Sequence, residues 1–175
     1  MPLLNIVPPE KAEGKVKDAY SIFEKMGMPV PLPLQMISVS PEILAIQMKV
    51  MMNYFKHPTL TLPLLAHIRL LVATGENYPF CMNFNRELLR GFVGLTDEQI
   101  DAAIKDPKSA ALQEKDRELL AYVVKVVADP ALSDKKDIER LRELGWSDGD
   151  IFDAVNHGIG MVTAGMAFKI FKMGE

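Results

Sequence analysis

The residues best suited to chemistry lie in one segment, Glu76-Asn77-Tyr78-Pro79-Phe80-Cys81-Met82-Asn83-Phe84-Asn85, which holds the only cysteine of the chain, Cys81. Proline is favoured at the first helical position, where a missing N–H costs nothing and its φ already suits a helix. Pro79 therefore predicts a helix start with Tyr78 as N-cap and Cys81 in the first turn. Free backbone N–H groups and the positive end of the helix dipole stabilise a thiolate there, an arrangement that thiol redox centres use. The competing reading is a buried cysteine acting as a small hydrophobe. Asn85 lies one helical turn beyond Cys81, within hydrogen-bonding reach, but an amide carries no proton near neutral pH.

Other reactive combinations are absent from the pattern. His57 and His157 have no histidine or cysteine three or four residues away, so no metal-binding helix face is expected, and no cofactor. Asp153, four before His157, can orient that ring or form an ordinary helix pair. There is no glycine-rich phosphate loop and no local Ser-His-Asp signature. Met48, Met51 and Met52 form one methionine-rich face, and Met161 and Met166 lie near the C-terminus; they read as core packing or as an adaptable apolar pocket or interface.

These residues must be positioned by helices. The 175 residues fit one domain, 1–175, large enough to bury a core. Hydrophobic residues make up 49% and charged residues 25%, the composition of a globular protein. The net charge of −3 gives no electrostatic reason to bind nucleic acid or an anionic membrane. One cysteine excludes an internal disulfide framework and fits a reducing compartment. Met1-Pro2-Leu3-Leu4-Asn5-Ile6-Val7 lacks the features of a signal peptide, and the apolar run Leu60 to Ala73 is too short for a bilayer and is broken by His67 and Arg69. A cytoplasmic location is expected.

No stretch alternates as a strand would, and helix signals recur. They predict helices over Glu10–Met26, Leu34–Val39 after the extended Pro29–Pro33 connection, and Pro41–Phe55 capped by Ser40. A helix from Leu62 or Pro63 to Ala73 or Thr74, apolar on nearly every side, should be the central buried one, with Gly75 as its left-handed terminal residue. Further helices are expected from Pro79 to about Phe92, Thr96 to Lys105 with a capping box, Leu112 to Ala128, Asp134 to Leu144 capped by Ser133, and Ser147 to about Met173. About eight helices and no sheet result. Gly158, Gly160, Ala164, Gly165 and Ala167 cluster in the last helix. Such small residues call for close helix contact, within the core or between subunits.

The order of these elements resembles the carboxymuconolactone decarboxylase superfamily, in its alkylhydroperoxidase D-like branch. The likeness rests on Val7-Pro8-Pro9-Glu10, the Pro29–Pro33 connection, Ser40-Pro41-Glu42-Ile43-Leu44, Leu71-Val72-Ala73, the cysteine opening the next helix, and Ser147-Asp148. It implies an all-α, single-domain fold that assembles as a homo-oligomer, a trimer or hexamer. The family's redox motif is a glutamate, eleven residues, then Cys-x-x-Cys-x-x-x-His. With Cys81 on the second cysteine, Tyr78 stands at the first, Asn85 at the histidine and Ala66 at the glutamate. Peroxide reduction by an internal dithiol is thereby excluded. His67, one residue past the glutamate position, is a candidate partner for the thiol; its alternative is a ring bonded to a backbone carbonyl.

Two functions follow. One is an antioxidant-type peroxide reduction in which Cys81 is oxidised to sulfenic acid and an external thiol resolves it. The other is a homo-oligomer without redox activity that binds a small apolar or carboxylated ligand beside Cys81. A lactone decarboxylase would need a general acid and base that the sequence does not identify.

Overall fold

The computed structural model describes residues 2–174, and their regular structure is helical throughout. Nine α-helices follow in order: α1 Gly14–Lys25, α2 Leu32–Ile37, α3 Pro41–Phe55, α4 Leu62–Gly75, α5 Pro79–Leu88, α6 Asp97–Lys105, α7 Glu114–Ala128, α8 Lys135–Glu143 and α9 Asp148–Ile170. The residues group into two compact units. One comprises the chain up to His57 together with the stretch from Met166 onward, and the other is Pro58–Gly165.

In the first unit α1 and α2 pack on α3. Val16, Ala19, Tyr20 and Phe23 of α1 meet Leu34, Leu44 and Met48 in a common core. The Tyr20 hydroxyl donates to the Val7 carbonyl at 2.9 Å and Ser38 Oγ accepts from Val7 N–H at 2.8 Å, which pins the leading segment. The first helix is shorter than its pattern, because a separate 3-10 turn occupies Pro9–Lys11 and Gly14 takes a positive φ of 51°. The second starts earlier than expected, at Leu32, with Pro33 accommodated in its first turn. Ser40 precedes α3 without a side-chain capping bond, so Pro41 alone marks that start.

The second unit is built around α4, which packs against α5, α6 and α7. Nine of its side chains are buried, from Leu64 to Ala73, which is the central placement its all-round apolar pattern predicts. Each fully buried leucine or isoleucine contributes roughly 1.5–3 kcal/mol of hydrophobic stabilisation. Thr61 Oγ1 caps the helix by accepting from Leu64 N–H. The left-handed residue after α4 is Asn77, φ 47°, rather than Gly75, which stays inside the helix. Asparagine tolerates that region better than other side-chain-bearing residues.

The capping box of α6 forms as expected, with Thr96 Oγ1 accepting from Gln99 N–H and Gln99 Oε1 from Thr96 N–H. For α8 the cap is Asp134, one residue after the expected Ser133. Ser133 instead pairs with the Tyr122 hydroxyl at 3.0 Å. At α9, Ser147 Oγ accepts from Asp150 N–H while Asp150 Oδ2 accepts from Ser147 N–H. Among the described residues no helix is long and apolar enough to cross a membrane.

Candidate functional site at the α4–α5–α9 contact

Tyr78 and Pro79 set the geometry of the cysteine. Pro79 opens α5, Tyr78 is its N-cap residue, and Cys81 sits in the first turn. The Tyr78 N–H returns to the Ala73 carbonyl at 2.9 Å, which folds α5 back onto α4. Cys81 is buried, with 9% of its surface exposed. The helix start suggests a lowered thiol pKa, yet the thiol is pushed above its ordinary value, because burial penalises the thiolate more than its neighbours favour it. Those neighbours are the Tyr78 phenol and the Arg69 guanidinium, the second through its charge. The dipole effect is worth little beyond the first turn, and burial outweighs it here.

Arg69 is the residue sequence reasoning missed. It is the one charged side chain of α4, on a helix otherwise buried on nearly every side. Its Nε donates to Asn85 Oδ1 at 2.7 Å and its Nη1 to His157 Nε2 at 3.2 Å. Asn85 turns its other end to the cysteine, with Nδ2 donating to the Cys81 backbone carbonyl at 2.8 Å. Asn85 therefore reaches Cys81 one turn away, as its spacing suggests, but at the carbonyl rather than the sulfur. It links Arg69 of α4 to the first turn of α5.

His157 completes the cluster from α9. Its ring bonds to the Leu65 backbone, and its proton affinity is held down to about 3 by burial first and by the Arg69 charge second. The ring is thus neutral, with Nε2 the acceptor from Arg69 and Nδ1–H turned to the Leu65 carbonyl. Arg69 is itself pushed down to about 10 by burial and remains charged at neutral pH.

His67 takes the alternative its sequence position left open, a ring bonded to a backbone carbonyl. Its Nδ1 pairs with the Pro63 carbonyl at 2.8 Å within its own helix, and burial lowers its pKa. It is not among the groups acting on the Cys81 sulfur. Its Nε2 is buried without a hydrogen-bond partner. Ala66 is fully buried in α4 and supplies no polar group. Among the described residues no three His, Cys, Asp or Glu side chains gather as metal ligands would. The cluster thus consists of Cys81, Tyr78, Asn85, Arg69 and His157. The signal that could have revealed the last two is the arginine itself, since an Arg inside an all-apolar helix needs internal partners.

Two glycines of α9 let this cluster close. A Cβ on Gly165 would lie 3.1 Å from the Tyr78 ring, and one on Gly158 would lie 3.0 Å from Val123 and 3.1 Å from Val127. At these two positions, close contact within the chain explains the small residue.

No protein-family model matches the chain, and no curated protein does. Solved structures do. One is the alkylhydroperoxidase AhpD core of an uncharacterized peroxidase-related protein from Ralstonia eutropha JMP134, at a TM-score of 0.81 and 16% identity over 98% of this chain and 90% of that one. Another is an uncharacterized peroxidase-related protein from Silicibacter sp. TM1040, at a TM-score of 0.79 and 20% identity over the same shares. The chain has the alkylhydroperoxidase D-like helical fold that its sequence resembles.

Proposed function

We propose that this protein reduces small hydroperoxides with a single cysteine, Cys81, and an external thiol as reductant. The observation that carries the reading is the charge of Arg69, half-buried, fixed by Asn85 and His157, neither of which neutralises it, and acting on the Cys81 thiol. A fixed positive charge at a thiol stabilises negative charge developing on sulfur and on the departing oxygen, and does so most effectively out of water.

The Cys81 sulfur attacks one peroxide oxygen; an S–O bond forms, the O–O bond breaks, and the thiol proton ends on the departing alcohol. An external thiol then condenses with the sulfenic acid, releasing water and leaving a mixed disulfide. A second external thiol restores Cys81 and leaves as the disulfide. Tyr78 is the neighbour of the thiol that could donate to it, while Asn85 and His157 position Arg69. The structural neighbours are named peroxidase-related proteins, which is in keeping with peroxide chemistry in general and leaves the one-cysteine route to the experiment below.

The raised thiol favours a second reading, a ligand site without redox turnover. Steady-state consumption of a hydroperoxide in the presence of dithiothreitol separates the two. Turnover abolished by Cys81→Ser supports the first; equal, slow peroxide loss in both proteins leaves the second.

The same proposal includes a cytoplasmic, antioxidant-type homo-oligomer. Phe152 and Ile159 stand exposed seven residues apart on α9, with Asn156 and Thr163 exposed between and beyond them, a spacing that presents one face to a neighbouring helix.

A further inference from the structure

Arg69 has donors to spare. A guanidinium carries five N–H groups, of which Nε is given to Asn85 and one Nη1 hydrogen to His157. The remaining Nη1 hydrogen and both Nη2 hydrogens have no acceptor among the described residues, and no carboxylate pairs with the charge. Surface arginines of the same chain do find acids, as Arg86 does with Asp97 and Asp101 and Arg142 with Asp148. Arg69 is half-buried rather than sealed in the core, so these hydrogens are open to a ligand, and an acid of the kind that pairs the surface arginines is missing. The group able to become an anion that its charge acts on is the Cys81 thiol, which burial keeps protonated.

We propose that Arg69 anchors a binding site for a small monocarboxylate, whose two oxygens take the free Nη1 and Nη2 hydrogens as a fork. The end-on edge of a guanidinium matches a planar carboxylate in this way. One positive charge beside a neutral imidazole, a neutral thiol and a phenol suits a monoanion and lacks the further cations a phosphate dianion would need. Asn85 and His157 hold the guanidinium in place before the ligand arrives, so little orientation is lost on binding. A carboxylate there competes with the Cys81 thiolate for the same charge. The inference goes beyond peroxide reduction and does not depend on it.

The test is the rate of Cys81 alkylation by iodoacetamide in the intact chain at mildly alkaline pH, followed by intact mass. Sodium acetate is compared with sodium chloride at equal concentration and with acetamide. Acetate is expected to slow alkylation saturably, by about tenfold, by moving the thiol pKa up about one unit. Acetamide and chloride should leave the rate close to that in buffer alone. No acetate effect, or equal slowing by chloride or acetamide, overturns the proposal. Arg69→Lys keeps the charge without the fork and should lose the saturable acetate effect; retention of it also overturns the proposal. No peroxide is present, so failure here is distinct from failure of the redox reading.

Discussion

The charge of Arg69 rests on neutral atoms, Asn85 Oδ1 at 2.7 Å and His157 Nε2 at 3.2 Å, so the proposed function predicts that replacing it costs more in thiol reactivity than in stability. Arg69→Met removes a half-buried charge, which favours folding, and leaves two acceptors without a donor, which opposes it; each effect is at most about 1–3 kcal/mol. A net stability change within about 2 kcal/mol is expected by urea denaturation, together with at least a tenfold loss of Cys81 reactivity, from the removal of a neighbouring opposite charge. Loss of folding with unchanged thiol reactivity in the folded fraction would show a purely structural role. His157 gives a pH signature. Folded, it titrates at about 3 against an ordinary 6.5, so between these values the unfolded chain binds a proton that the folded chain refuses. Its contribution is therefore intact above about pH 6.5 and is lost as pH falls toward 3, by up to ~1.4 kcal/mol per pH unit. His67, also held low, acts with the same sign. Urea denaturation between pH 7 and 4 should show a shallower slope for His157→Gln than for the parent; identical slopes would contradict the burial of a neutral ring. At this scale the sequence revealed Cys81, Tyr78 and Asn85 because one helix start holds all three. Arg69 and His157, 88 residues apart, meet only through packing that local spacing does not encode.

Helices place these residues, and the contacts of α9 with α4, α5 and α7 depend on two missing side chains. Gly158→Ala brings a methyl to 3.0 Å from Val123 and 3.1 Å from Val127. Valines have little χ1 freedom to retreat, so overpacking of about 1–3 kcal/mol outweighs the ~1 kcal/mol gain in helix propensity. Gly165→Ala presses on the Tyr78 ring at 3.1 Å instead. Thermal denaturation should show both variants destabilised, with Cys81 alkylation altered only in Gly165→Ala; an unchanged rate there would uncouple Tyr78 from the thiol. Element boundaries were legible wherever a proline or a cap fixed them, as at Pro41, Pro79, Thr96 and Ser147. They slipped where a competing residue took the special conformation: Asn77 for Gly75, Asp134 for Ser133. The π-helical turn over Leu89–Val93, closed by Gly94 at φ 77°, falls where the pattern predicts plain helix, because a π-turn has no propensity signature of its own.

At the scale of the whole molecule, the exposed Phe152 and Ile159 on α9 are the surface to test for self-assembly. Light scattering is expected to give a mass several times that of one chain, and the double substitution Phe152→Glu with Ile159→Glu is expected to reduce it to a single-chain mass. A parent protein that is already a single chain would contradict the assembly. The central claim concerns Cys81 as a one-cysteine redox centre under the charge of Arg69. Its most direct test is intact mass after brief exposure to a small excess of hydroperoxide with dimedone as sulfenic-acid trap. The account predicts one dimedone adduct on the parent, none on Cys81→Ser and strongly reduced labelling on Arg69→Met; an unmodified parent protein would contradict it.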